Sequence, residues 1–323
     1  MHNATAAPHV VIEPMPPLHG SAGLTQGGYG EGGNLELVAP DPDSGFWCFW
    51  WNADPVDSRT SVAAGAWSGG LHVAGERLDG VRVTQVRSGP KFLEVVGVAG
   101  DRLLRWYWTP TEGFVRAGTV ATSVVSASAV VEDDEGLLHL LAARPDGSVT
   151  HLSANPKGYP DITWLGVTAD ELPRAASVDL VQAPDGSLVG LVVDAGGRAH
   201  CLRNRDGWLD EPAPPGYWTT LSLVAGETLL AVGLDASGSL QVSRQGRDTW
   251  LQPVPVAQLG RLEHLAAAAT SLDGGRVDVV VRHGGEAWHL TTPTDETADG
   301  AWTCEQIVSK VWCTVDPVTV HRR

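Results

Sequence analysis

The sequence predicts an all-β protein, a β-propeller of six four-stranded blades, and three observations carry that expectation. A short apolar run, a Gly or Asp turn and a second such run recur six times. A tryptophan stands near the start of the strand that follows in five of the six repeats. These tryptophans, Trp67, Trp164, Trp208, Trp250 and Trp302, with Phe114 in the second repeat, recur at a mean of about 47 residues, the length of one propeller blade.

Each element can be justified in turn. The paired runs are "NLELVAPDPDSGFWCFWWN", "FLEVVGVAGDRLLRWYWTP", "LLHLLAARPDGSVTHLSAN", "LVGLVVDAGGRAHCLRNRDG", "LLAVGLDASGSLQVSRQG" and "VDVVVRHGGEAWHLTTP". Apolar, β-branched segments around such turns read as antiparallel hairpins. The aromatic-led strand lies outside each hairpin. A further strand then precedes the next hairpin: "VRVTQVRS", "SASAVVED", "ASVDLVQA", "TTLSLVAG" and "LEHLAAAA". Small residues in several of these suit the crowded inner strand beside a central channel. The last candidate, "WCTVDPVTV", has no hairpin after it, so it is expected to close the ring as the innermost strand of the first blade, removing an open edge. Residues 1–33 are rich in Pro and Gly, with only "HVVIEP" strand-like, and residues 34–323 form one propeller domain. A seventh blade made from the two ends of the chain is the alternative.

The densest aromatic segment, "GFWCFWWNAD" from Gly45 to Asp54, fits this scheme. Side chains alternate along a strand, so Phe46, Cys48 and Trp50 face one way and Trp47, Phe49 and Trp51 the other. A blade has a neighbour on each side, so both faces can be buried without a membrane.

Composition narrows the function classes. With 38 acidic and 22 basic residues the net charge is -16, which argues against a nucleic-acid backbone or an anionic membrane as partner. No apolar run is long enough to span a bilayer. The first twenty residues lack the basic start and apolar core of a secretory signal, so a cytoplasmic protein is the default expectation. Cys48, Cys201, Cys304 and Cys313 form no C-x-x-C pair and read as buried free thiols.

Aligning the hairpins on their turns sets Cys48, Arg105, His151, Cys201, Val242 and His289 at one equivalent position. Phe49, Trp106, Leu152, Leu202, Ser243 and Leu290 occupy the next, a mostly large and apolar row that reads as core. The first row is chemically mixed.

Alternations such as "GNLELV", "FLEVVGVAGDRLLRWYW" and "VDVVVRHGGEAWHL", each followed by a Trp-containing strand, resemble the PLL-type bacterial β-propeller lectins and the related fucose-binding propeller lectins. "AWHL" at Ala287 to Leu290 is the nearest match. The resemblance implies a six- or seven-bladed propeller that binds fucose-like sugars in pockets between blades. The third, fourth and fifth hairpins have Thr150, His200 and Gln241 where the sixth has Trp288, so one or two sites, not six equivalent ones, are expected.

Sugar recognition needs an aromatic face for the ring C–H groups and polar side chains for the hydroxyls. The candidates are Trp51, Trp108, Trp288 and His289, with Arg105 as polar partner; blade-to-blade packing is the competing role for each. An enzyme would instead use the channel mouth, where the inner strands offer Thr84, Gln85, Asp179, Gln182, His264 and Asp316, with Asp133, Asp134 and Asp273 at their ends. Converging acids there would suit a hard cation such as calcium. No G-x-S-x-G, H-E-x-x-H, Walker or dinucleotide motif is present. "GGYGEGG" at Gly27 to Gly33 precedes a strand and not a helix, so it reads as a flexible approach to the first blade, and "EDDE" at Glu132 to Glu135 as an acidic turn. A protein-interaction scaffold is the third reading. The expectation is therefore non-catalytic binding of carbohydrate or a carbohydrate-like ligand, with no cofactor unless calcium.

Overall fold

In a computed structural model of the chain, the described residues are 19–28, 33–54, 62–87, 93–169, 173–205, 207–256, 260–270, 275–293, 302–307, 313–315 and 318–319. They form six sheets, each built around one of the six hairpins. The fourth blade shows the pattern plainly: Ser177–Gln182 innermost, then Leu188–Val193, Ala199–Asn204 and Trp208–Glu211, every neighbour antiparallel. The hairpins form where the repeats place them because their turns contain an Asp and end in a glycine at positive φ, as at Gly147, Gly197 and Gly238. In the turn before Gly238, the Asp235 carboxylate accepts from the backbone N–H of Ser237 and Ser239 at 2.8 and 3.1 Å.

The second strand of a blade, the first of its hairpin, is buried on both faces because each blade is sandwiched. Leu138–Ala143 and Leu188–Val193 are buried at every position. The core is consequently not one centre but six apolar layers, one between each pair of adjacent blades. The expected alternation in the aromatic strand Phe46–Asn52 holds: Phe46 and Cys48 join the layer against the second blade, whereas Trp47, Phe49 and Trp51 join the layer against the sixth. Phe46 meets Trp106 and Phe114 edge-on at 5.4 and 5.3 Å. The apolar row from Phe49 to Leu290 is buried throughout, with Ser243 among its members.

Ring closure differs from the expectation. The innermost strand of the first blade is Gly23–Gln26, antiparallel to the hairpin strand Leu35–Pro40, and it comes from the Pro/Gly-rich segment before Asn34. The C-terminal segment instead adds parallel strands at the rim. Cys313–Val315 pairs with Leu71–Val73 of the first blade, and Val318–Thr319 pairs with Val115 and Arg116 of the second. Crowding explains the choice. A Cβ at Gly23 would stand 2.6 Å from the backbone nitrogen of Val83, so the inner slot demands a residue without a side chain there. Ala22 and Leu24 then enter the apolar layer shared with Val280 and Ala287 of the sixth blade, and Arg82 of the second blade donates to the Ala22 carbonyl at 2.9 Å. The strand-like "HVVIEP" lies outside the described residues.

One charge interrupts the apolar first blade. Glu36, 9 % exposed, sits one residue into the strand Leu35–Pro40, and burial pushes its carboxyl up to about 8. The buried Cys48 thiol is raised by burial and by the charge of Glu36.

Two predictions follow from this arrangement. Deleting residues 1–27 removes the strand that joins the first blade to the sixth and is expected to abolish cooperative thermal unfolding by circular dichroism. Deleting residues 312–323 removes only rim strands and is expected to leave a cooperative transition at a lower midpoint; the reverse pattern would disprove the closure. The second concerns pH. Because the folded-state pKa of Glu36 is above its unfolded value, its contribution is fully present below about pH 4.5 and is lost as pH rises through about 8. Glu36→Gln is expected to match the parent at pH 5 and exceed it at pH 9, by on the order of 3 kcal/mol in denaturant unfolding.

Candidate functional site

The mixed row found by aligning hairpins has a structural meaning. Its six members, Cys48, Arg105, His151, Cys201, Val242 and His289, all lie on the blade face turned toward the next blade. Cys48, Cys201 and Val242 join apolar layers, where they are packed with Phe114, Trp250 and Trp302 of the following blade. The other three are polar, and each is partnered by a polar residue on the preceding strand at a second equivalent position: Glu94 for Arg105, His139 for His151 and Asp278 for His289. In the fourth and fifth blades that second position carries Val189 and Leu230.

Between the second and third blades the pair is ionic. Arg105, 3 % exposed, donates through Nε and Nη2 to both oxygens of Glu94, the latter at 3.0 Å, and through Nη1 to the Pro160 carbonyl at 2.7 Å. Tyr159 donates its hydroxyl to Glu94. The guanidinium also lies over the rings of Tyr159 and Tyr107, 5.2 and 5.8 Å from their centroids. Burial raises the Glu94 pKa against the opposing charge and hydrogen bonds of Arg105, and burial with the Glu94 charge raises that of the Tyr159 phenol. Above this pair opens a groove of about 480 Å³ lined by Arg105, Tyr107, Arg116, Pro160, Asp161 and Ile162, among others. Arg116 is itself held in a bidentate pair with Glu76 at 2.6 and 2.7 Å.

Between the sixth and first blades the pair is sealed. His289 is 1 % exposed and Asp278 wholly buried, with Nε2 of His289 2.9 Å from Asp278 and Nδ1 3.0 Å from Glu305. Burial opposes charge on the ring, but hydrogen bonds and charge from both carboxylates outweigh it and raise its pKa. Trp51 and Trp67 meet the imidazole edge-on at 5.6 and 5.4 Å, and Arg276 bonds Asp278 while covering the Trp51 ring. Between the third and fourth blades, His139 Nδ1 lies 3.1 Å from His151 Nε2, and His139 Nε2 lies 2.9 Å from Asp133. Burial and the neighbouring His139 lower the His151 pKa to about 4.

The five residues singled out from sequence thus fall at four different interfaces. Trp51 and His289 are brought together between the sixth and first blades. Arg105 belongs to the groove between the second and third. Trp108 packs partly buried against the layer between the first and second, and Trp288 against that between the fifth and sixth. Sequence reasoning missed Glu94, Tyr107, Tyr159 and Pro160. The signal for Glu94 and Asp278 was available: each is a lone charge at the same position of an apolar strand, "FLEVVGVAG" and "VDVVV".

The channel mouth, about 330 Å³, does gather Thr84, Gln85, Asp179 and Gln182 with Arg82, Arg87 and Glu132. Several of these side chains are engaged in joining blades. Thr84 donates to the Val130 carbonyl at 2.5 Å, Asp179 accepts from the backbone N–H of Leu223 at 2.8 Å, and Arg87 donates to the Glu132 carbonyl at 2.7 Å. Asp133 lies with the histidine pair, and Asp134 stands close to Gly186 of the fourth blade. Asp273, Asp316 and the side chain of His264 lie outside the described residues. Among the described residues no three His, Cys, Asp or Glu side chains form a cage for a metal ion, and no helix is long and apolar enough to cross a membrane.

No family model and no curated protein matches the sequence. Solved structures do. A fungal lectin from Aleuria aurantia with a six-bladed β-propeller fold superposes with a TM-score of 0.68 at 10 % identity, covering 93 % of this chain and 98 % of that one. AofleA from Arthrobotrys oligospora gives 0.62 at 14 % identity over 97 % and 96 %. The PQQ-bound aldose sugar dehydrogenase of Streptomyces coelicolor gives 0.53 at 13 % identity over 88 % and 99 %. The chain therefore has the six-bladed β-propeller fold of the Aleuria aurantia lectin.

Proposed function

We propose that the protein binds carbohydrate, without catalysis, in the groove between the second and third blades. The observation that supports this most strongly is the placement of Arg105. Three of its five N–H groups are held by Glu94 and Pro160, which fixes the guanidinium plane and leaves donors for sugar hydroxyls. Tyr107, Pro160 and Ile162 supply apolar surface for a sugar's C–H face, and Asp161 an acceptor. The groove volume lies within the range of small-ligand sites. The corresponding groove between the fourth and fifth blades is smaller, about 280 Å³, has no aromatic lining, and has Arg203 tied to Glu211, Asp185 and Ser187.

A binding role is supported over a hydrolytic one because the buried Glu94 carboxylate is already bridged to Arg105 and to the Tyr159 phenol, which suits positioning. Fucose-terminated glycans are the first class to test, because the Aleuria aurantia lectin is fucose-specific.

The test is a glycan array probed with the full chain and with Arg105→Lys, which retains the charge but cannot reproduce the planar fork. Specific binding by the parent and a loss of about 10–100-fold in the variant are expected, the worth of one or two hydrogen bonds to a charged group. Binding should be indifferent to a calcium chelator, since among the described residues that line the groove Asp161 is the one carboxylate, while Glu94 and Glu76 beside it are paired with Arg105 and Arg116. No glycan binding, or binding unchanged in Arg105→Lys, would overturn the proposal.

A further inference from the structure

We propose that the central channel holds a second site, for a small zwitterionic α-amino acid with an apolar side chain, bound between Arg82 of the second blade and Asp179 of the fourth. Both residues line the same cavity of about 330 Å³, which lies within the size range of small-ligand sites. The site is separate from the groove at Arg105 and does not depend on sugar binding there.

Arg82 sets the carboxylate half. Its Nη1 donates to the carbonyls of Ala22 and Val81 at 2.9 and 3.2 Å, which pins the half-buried guanidinium among the inner strands of the first two blades. Among the described residues its Nε and Nη2 have no hydrogen-bond partner. Those two nitrogens form the side-on fork that grips a carboxylate through two parallel N–H···O bonds. In other arginines of the chain that fork is used: Arg105 turns the same two atoms on both oxygens of Glu94, and Arg203, Arg276 and Arg282 each point Nε at a carboxylate. Burial lowers the Arg82 pKa against the opposing charge of Asp179, so the cation is incompletely compensated and an incoming carboxylate would satisfy it.

Asp179 sets the ammonium half. Its two oxygens accept the backbone N–H of Leu180 and of Leu223 at 2.9 and 2.8 Å, one each, which fixes the buried carboxylate and leaves a lone pair free on each oxygen. It makes no ion pair with Arg82, although each feels the charge of the other. A ligand with only a carboxylate would be repelled by Asp179, and one with only an ammonium by Arg82; a zwitterion meets both. Other polar side chains at the mouth are already engaged, Arg87 with Glu132 and Gln182, and Gln85 with the Gly28 N–H. Leu24, Val83, Val130, Leu223 and Val224 line the same cavity and suit an aliphatic side chain.

The test is isothermal calorimetry of the full chain with L-leucine, with isocaproate, which is leucine without the ammonium, and with isoamylamine, which is leucine without the carboxylate. Saturable binding of leucine is expected, with each analogue weaker by about 10-fold or more. Arg82→Lys retains a donor for the Ala22 carbonyl but not the fork, so it should weaken leucine by about 10–100-fold at an unchanged thermal melt. Asp179→Asn should weaken leucine and strengthen isocaproate, a reversal that a variant losing its fold could not produce. No leucine binding by the parent, equal parent affinity for isocaproate and leucine, or leucine affinity unchanged in Arg82→Lys would overturn the proposal.

Discussion

The contact on which this molecule depends is the one, seen at five of the six interfaces, between a blade's third strand and the aromatic that opens the outer strand of the next blade. Cys48 lies in one layer with Phe114, His151 meets Trp208, Cys201 shares a layer with Trp250, Val242 with Trp302, and His289 meets Trp67. A four-stranded blade cannot bury two apolar faces alone, so the six layers are what make the blades one cooperative unit. The aromatic period visible in the sequence is the trace of that repeated contact.

Since the contact is made by only a few residues per blade, its chemistry can vary without loss of the fold. Two interfaces are purely apolar at the paired positions. A third combines the Glu36 carboxyl with Cys48. At the remaining three the pair becomes Arg105 with Glu94, His151 with His139, or His289 with Asp278, each joined by hydrogen bonds. Buried polar pairs of this kind are costly unless satisfied, and their burial separates their roles. His289 is enclosed by two tryptophans, two carboxylates and Arg276, a sealed latch between the last blade and the first. Arg105 lies at the floor of an open groove, and His151 at a half-open edge.

The same physics explains how much could be read from sequence. The hairpins and the Trp spacing are local and periodic, so blade number and strand order were legible. Ring closure was not, because "WCTVDPVTV" has the β-branched character of a strand while "GLTQ" has almost none; the inner slot selects against bulk at Gly23, a tertiary constraint invisible to propensity. In the site, Arg105 and His289 were legible as members of one aligned row. Trp108 and Trp288 were chosen for ring surface, yet period-two alternation sends them to the opposite face of their blades, against the preceding neighbour. Tyr159 and Pro160 follow a short turn at Pro156–Gly158 in the third blade and reach Arg105 from across the interface, a pairing of residues about 55 apart that no local pattern announces.

We propose that one interblade position, differently furnished in each blade, keeps an open sugar site between the second and third blades and closes the others. It is tested most directly by a crystal structure of the full chain soaked with the monosaccharide of the glycan best bound on an array. Difference density against Arg105 and Tyr107, with none at the interface of the sixth and first blades, is the predicted result. Density in the central channel, or repeated at several blade interfaces, would contradict it.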